Sequence, residues 1–70
     1  MRVNARKLGK NIKRYRATYR LSQEDLAGAA RVKLSNLAKL EGGFNTNPTL
    51  ETLVALANVL TRGSIDALLR

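Results

Sequence analysis

Apolar residues recur every three or four positions along almost the whole chain, and no stretch alternates strictly between apolar and polar residues. That spacing places the apolar side chains on one face of an α-helix, whereas a half-buried strand requires alternation. Leu and Ala supply most of the apolar residues, and runs of β-branched residues are absent. The pattern therefore predicts an all-α fold.

Capping residues and glycines divide this pattern into five short helices. Ser22 and Thr49 are favourable N-caps, whereas the glycines at 42–43 and Gly63 are expected to end helices. The predicted helices cover residues 4–19, 23–30, 33–41, 50–60 and 65–69. A chain of 70 residues is sufficient for one small core, so we expect a single compact five-helix domain over residues 1–70.

Each predicted helix has an apolar face that should point into this core. The expected inward residues are Ala5, Leu8, Ile12, Tyr15 and Tyr19 in the first helix, Leu26, Ala27 and Ala30 in the second, Leu37 and Leu40 in the third, Leu50, Leu53, Val54, Ala57 and Leu60 in the fourth, and Ile65, Leu68 and Leu69 in the last. Phe44, Leu56 and Val59 are left as apolar residues that could remain exposed.

The charge of the chain indicates a polyanionic partner. Thirteen Lys and Arg residues oppose five Asp and Glu residues, which gives a net charge of +8 and a pI near 11.0. Eight of the cations lie within the first twenty residues, and no acid precedes Glu24. A basic domain of this kind favours nucleic acid, although a merely solvated surface remains the alternative.

The composition argues against catalysis and against metal binding. The chain has no Cys and no His, so disulfides, thiolate zinc sites and a histidine base are excluded. The five acids offer neither a nucleophile–base pair nor a metal cluster. No apolar stretch of 18 residues and no signal-like segment occurs. We therefore expect a soluble cytoplasmic protein that is not an enzyme and carries no cofactor or metal.

Three motifs follow one another in the order typical of one DNA-binding family. They read LSQEDLA, LSNLAKLEGG and NPTLETLVALANVL, and the first two contain a helix-turn-helix at about 23–30 and 33–41. The chain closely resembles the lambdoid repressor-like helix-turn-helix family, also called the XRE family, from Leu8 to Leu69. This resemblance implies sequence-specific binding of double-stranded DNA by a small transcriptional regulator, with repression as the expected effect and the third helix in the major groove.

The resemblance also assigns roles to individual residues. Gln23 matches a phosphate-contacting position at the start of the second helix; Leu34, Ser35 and Lys39 match base-reading positions of the third helix. Lys33 and Asn36 match backbone-contacting positions, as do Thr46 and Asn47 in the following loop. The implied DNA-binding residues are thus Gln23, Lys33, Leu34, Ser35, Asn36, Lys39, Thr46 and Asn47, while Arg16 and Glu41 match an ion pair that braces the fold.

Three basic residues depart from the family pattern. Arg31 stands where the turn usually has a left-handed glycine, which should cost about 1 kcal/mol. Lys33 replaces the usual Ser or Thr cap of the third helix, at a further cost of about 1 kcal/mol. Arg20 replaces a frequent glycine after the first helix. All three add positive charge near the expected DNA face.

The same fold serves more than one function. The alternative is a DNA-binding antitoxin, or a controller protein of a restriction–modification operon, that acts through a protein partner. RNA binding is less favoured because the chain offers no aromatic platform for stacked bases. A homodimer is expected, through the last helix and the end of the fourth, because a two-fold dimer reads two half-sites. No membrane and no small-molecule ligand are expected as partners.

Overall fold

The computed structural model describes residues 2–70 of the chain, and these form five α-helices without a strand. The helices are α1 (Ala5–Thr18), α2 (Gln23–Ala30), α3 (Leu34–Glu41), α4 (Leu50–Leu60) and α5 (Ile65–Leu69). The predicted all-α bundle is therefore confirmed. The first and third helices begin one residue later than expected, because Asn4 and Lys33 have extended backbones and act as N-caps.

Side-chain caps begin four of these five helices. Each cap oxygen accepts a hydrogen bond from a backbone N–H of the first turn, which contributes about 1 kcal/mol per helix. The caps are Asn4, Ser22, Thr49 and Ser64. Lys33, which precedes α3, makes no such bond. The sequence therefore supports four helix starts locally and leaves α3 to be held by its packing.

All five helices contribute to one apolar core. The fully buried large side chains are Leu8, Ile12, Leu26, Leu37, Leu40, Leu53, Leu56, Leu60 and Leu68. Burying one such side chain contributes about 1.5–3 kcal/mol. Because α1 packs against α3, α4 and α5, and α2 packs against α3 and α4, the longest helix spans the bundle and supports the others.

The expected inner face of α4 was partly wrong. Leu50 and Val54 were expected to point inward, but they are 57% and 40% exposed, whereas Leu56 is fully buried. The inner stripe of α4 is formed by residues 53, 56, 57 and 60. Val54 lies about 100° around the helix from Leu53 and so falls outside that stripe. Tyr19, expected in the core or partly buried, lies beyond the end of α1 and is 51% exposed, so it is not part of the core.

Two polar or small residues of α1 fix its position against its neighbours. A Cβ atom at Gly9 would lie 2.6 Å from the carbonyl oxygen of Leu40 and 2.8 Å from that of Glu41, so only glycine permits this approach to the end of α3. The buried side chain of Asn11 donates a 2.8 Å hydrogen bond to the carbonyl oxygen of Leu68 in α5. These contacts join the C-terminal ends of α3 and α5 to α1.

Candidate nucleic-acid interface

The first helix of the pair, α2, begins with a reciprocal capping box. The Oγ atom of Ser22 accepts a 2.9 Å hydrogen bond from the backbone N–H of Asp25, and an Asp25 carboxylate oxygen accepts a 3.1 Å bond from the N–H of Ser22. Glu24 and Asp25 also place negative charge in the first turn, where it stabilises the helix dipole. The N-terminus of α2 is thus well defined, and it positions Gln23.

The turn between α2 and α3 has the left-handed residue that the resemblance implies. Arg31 adopts φ 56° and ψ 43°, which costs a residue with a Cβ about 1 kcal/mol. The backbone N–H of Val32 donates a 3.0 Å bond to the carbonyl oxygen of Ala27 and closes the turn. The turn therefore keeps its tight geometry with Arg in place of glycine, and a cation lies at its apex.

The outward face of α3 carries the expected base-reading and backbone-contacting residues. Leu37, Leu40 and Glu41 are buried. Five of the residues implied by the resemblance are exposed together at the start and on the outer side of this helix: Lys33, Leu34, Ser35, Asn36 and Lys39. Because Lys33 makes no side-chain cap bond, the first backbone N–H groups of α3 have no cap acceptor from that residue.

A hydrogen-bonded cluster links α1, α2 and the end of α3. The Nε atom of Arg16 donates to one carboxylate oxygen of Glu41 at 2.8 Å, and its second terminal nitrogen donates to the other at 2.9 Å. The remaining terminal nitrogen of Arg16 donates to the carbonyl oxygen of Leu21 at 2.8 Å. The amide nitrogen of Gln23 donates to Glu41 at 3.1 Å. Glu41, which is 4% exposed, is thereby satisfied by three donors.

This cluster fixes Gln23 in a way that the sequence did not indicate. An amide nitrogen carries two hydrogens, so one remains for an external acceptor after the bond to Glu41. The bond also orients the side chain at the N-terminus of α2 with respect to the C-terminus of α3. The residue is therefore oriented before any ligand binds, which lowers the entropy lost on binding.

The loop after α3 carries the last two implied residues, Thr46 and Asn47, both of which are exposed. The backbone N–H of Val3 donates a 2.9 Å bond to the carbonyl oxygen of Thr46, which places the N-terminal segment beside the loop. The side-chain oxygen of Asn45 accepts a 2.9 Å bond from the N–H of Asn47. The loop is thus held from both sides.

The residues implied by the resemblance lie on three adjacent elements, namely the start of α2, the exposed face of α3 and the loop after it. Sequence reasoning did not single out three further cations that lie at the end of α3. Arg6, Lys10 and Lys13 line a depression together with Gly42 and Gly43. Their spacing of four and three residues, off the apolar stripe of α1, was the available signal.

Metal and membrane sites are not found in the part of the chain that the structure describes. No three His, Cys, Asp or Glu side chains of residues 2–70 lie close enough to hold a metal ion. Among the same residues, no helix has the length and apolar character needed to cross a bilayer.

Comparison with known proteins identifies the same arrangement of helices. A family model described as helix-turn-helix matches residues 12–68. No curated protein sequence matches the chain. Among solved structures, hydroxypropylphosphonic acid epoxidase from S. wedmorenis is similar with a TM-score of 0.83 and 24% identity, over 100% of this chain and 36% of its own. At this identity the likeness shows a common fold alone.

Two further solved structures carry the same helical unit. Apo-HppE matches with a TM-score of 0.82 and 25% identity over 97% of this chain and 37% of its own. Iron(II) HppE in complex with substrate matches with a TM-score of 0.81 and 26% identity over 94% and 37% of the two chains. The chain thus spans little more than a third of the length of the solved chains it matches.

Proposed function

The chain belongs to the helix-turn-helix family of DNA-binding domains, of the XRE type, and on that premise we propose that it is a sequence-specific regulator of transcription that acts as a repressor in the cytoplasm. The observation that carries this proposal is the exposed outer face of α3. Five residues that the resemblance assigns to DNA contact lie together there, directly after the tight turn at Arg31. Because these side chains are exposed, they do not contribute to the apolar core and are accessible to a ligand.

In the proposed complex, α3 enters the major groove and α2 crosses the phosphate backbone. Lys39 suits the O6 and N7 acceptors of guanine, while Leu34 suits the methyl group of thymine. Ser35 can donate or accept and so contributes a less selective contact. Side chains at these three positions set the preferred bases.

Phosphate contacts hold α3 in register. Gln23, already oriented by Glu41, offers its remaining N–H to a phosphate oxygen, together with the free backbone N–H groups at the start of α2. Lys33 and Asn36 contact the backbone at the start of α3, and Thr46 and Asn47 contact it from the loop. These contacts carry no sequence information but fix the position of the domain on the duplex.

A homodimer forms part of the proposal, since two copies would read two half-sites about one helical turn apart. The sequence pointed to α5 and the end of α4, where Val59, Ile65 and Leu69 are half-buried. The start of α4 offers a second apolar area, with Leu50 and Val54 exposed. Sedimentation analysis of Val54→Ser against Leu69→Ser separates the two faces, because only the variant within the interface should become monomeric.

The alternative function is a DNA-binding antitoxin or controller protein. The exposed Leu50 and Val54 favour it, because an exposed apolar area suits a protein partner. We propose no catalytic role. The chain has no His and no Cys, and its five acids offer no nucleophile–base pair.

Selection from a random duplex pool tests the function directly. Enrichment of a two-fold site with half-sites about ten base pairs apart is the expected result. Lys39→Ala should then relax the preference at one position of each half-site, whereas Gln23→Ala should weaken binding to all sequences alike. If no sequence is enriched, the proposal of a sequence-specific regulator is wrong.

A further inference from the structure

A row of three cations runs along one edge of α1. Arg6, Lys10 and Lys13 are exposed and are spaced by four and three residues, so they lie on one face of the helix. They line a shallow depression together with Gly42 and Gly43 at the end of α3. We refer to these three residues as the α1 basic edge. None of them belongs to the contact residues that the family resemblance implies.

The α1 basic edge has no acidic partner within residues 2–70. The ion pairs of this part of the chain join Arg16 to Glu41 and Arg70 to Asp66. Glu41 lines the same depression, but it is buried, and both of its carboxylate oxygens accept hydrogen bonds from Arg16 or Gln23. Three neighbouring cations therefore face solvent without internal compensation.

The position of this edge relative to α3 is fixed by the backbone. Gly9, which adjoins Lys10, brings α1 so close to the end of α3 that a Cβ atom would collide with two carbonyl oxygens. The bidentate pair of Arg16 and Glu41 holds the two helices together about two turns further along α1. The cations are thus carried by the same rigid body as the proposed base-reading residues.

The distances allow one duplex to reach both surfaces. A helix of eight residues, the length of α3, is about 12 Å long. The major groove of B-DNA is also about 12 Å wide and is bordered by phosphates on both sides. In a pose in which α3 crosses the groove from one side to the other, its far end and the adjoining α1 basic edge come to lie beside a bordering strand of phosphates.

We propose that the α1 basic edge binds the phosphate backbone that borders the groove occupied by α3. This inference rests on the proposed function and extends it, because it assigns a second, sequence-independent contact surface to the domain. The occupant is DNA phosphate, since the edge consists of cations without an apolar residue among them. Each neutralised phosphate releases counterions, so the edge steepens the salt dependence of binding without altering base preference.

The test compares two pairs of substitutions that change the net charge equally. Lys10→Gln with Lys13→Gln removes two cations from the edge. Lys7→Gln with Arg14→Gln removes two from the adjoining exposed strip of the same helix, which does not line the depression at Gly42 and Gly43. Gln has nearly the helix propensity of Lys and Arg, so both variants should fold. Binding is measured across salt on the selected duplex and on a scrambled duplex of equal length.

The edge variant should lower the slope of log K against log salt by about 1.8 per protomer, or about 0.9 for each lost phosphate contact. This decrease should be the same on both duplexes, with an unchanged preference for the selected one. Lys10→Arg with Lys13→Arg should retain the slope, and the Lys7 and Arg14 variant should change it little.

Equal slopes for the two Gln variants would overturn the proposal, because net charge alone would then explain the effect. The function itself fails in a different way, through the absence of any preference by the unmodified protein for one duplex over another. In that case the slope difference on the scrambled duplex still decides whether the edge binds phosphate. A larger decrease in the salt slope for the Lys7 and Arg14 variant would place the phosphate contact on that adjoining strip and would also overturn the proposal.

Discussion

The two helices of the helix-turn-helix have the same length, but their N-termini differ in how they are capped. Both contain eight residues. The start of α2 has a capping box and two acids in its first turn, whereas the start of α3 has no side-chain cap and no acid there. By local criteria α2 is stabilised and α3 is not. The helix proposed to read DNA thus begins with the weaker local signals.

Contacts at the C-terminus of α3 compensate for the missing cap at its N-terminus. Its last turn contains Glu41, which accepts bonds from Arg16 and Gln23, and it lies against the backbone of α1 at Gly9. Stability comes to α3 from its C-terminus and leaves its N-terminus positive and accessible. A capping side chain at position 33 would stabilise the start of α3 but would remove the positive charge of Lys33 from it. The stabilising contacts of α3 lie instead at its other end.

Loss of the buried carboxylate of Glu41 should cause the largest decrease in the free energy of unfolding. Glu41→Ala leaves Arg16 and Gln23 without their shared acceptor, and removal of one partner of a buried pair costs about 3 kcal/mol. Urea unfolding measures the change in the free energy of unfolding. Asp66→Ala is the control, because the Arg70–Asp66 pair is largely exposed and should contribute less than about 0.5 kcal/mol. A similar loss in both variants would contradict the proposed support of α3 by Glu41.

The close approach of α1 to α3 should give the next largest effect. Gly9→Ala places a methyl group against two backbone oxygens that cannot rotate away, and overpacking of this kind costs about 1–3 kcal/mol. Gly28→Ala provides the matched control, since a Cβ there has nothing within 4 Å and Ala is favoured by about 1 kcal/mol within a helix. Melting temperatures should therefore fall for the first variant and rise for the second. A rise in both would mean that the helices are not held by this contact.

The smallest effects come from the two N-termini themselves. Ser22→Ala should destabilise the fold by about 1 kcal/mol, whereas Lys33→Ser should stabilise it by up to about 1 kcal/mol, because one cap is lost and another gained. Lys33→Ala removes the charge without adding a cap. Calorimetry and DNA binding on all three variants separate the effects: both Lys33 variants should bind more weakly, and only the Ser variant should be more stable. Equal stability of the two would show that α3 does not use a cap at this position.

Much of the fold was predictable because its signals are local. Caps such as Ser22 and Thr49, and breaks at the glycines, set the helix bounds to within one residue. The inner face of α4 was less predictable, since nearly every residue of that helix is apolar and the periodicity fits more than one stripe. Which stripe faces inward depends on where the other helices lie, and that is a property of the whole bundle.

In the candidate site, too, local features were predictable from the sequence, whereas contacts between distant residues were not. The left-handed turn at Arg31 and the uncapped start of α3 followed from the sequence and are present in the structure. The bond between Gln23 and Glu41 joins residues 18 positions apart and depends on the packing of three helices. The DNA contacts of the individual residues stay predictions, because they depend on a partner whose shape the sequence does not encode.

The unpaired cations of α1 affect the free domain as well as its complex. In the absence of a polyanion, Arg6, Lys10 and Lys13 repel one another and the rest of a chain with a net charge of +8, which destabilises the compact state. Added salt screens this repulsion while it weakens the proposed complex with DNA. Salt thus acts in opposite directions on folding and on binding, and the domain should be most resistant to unfolding in the salt at which it releases DNA.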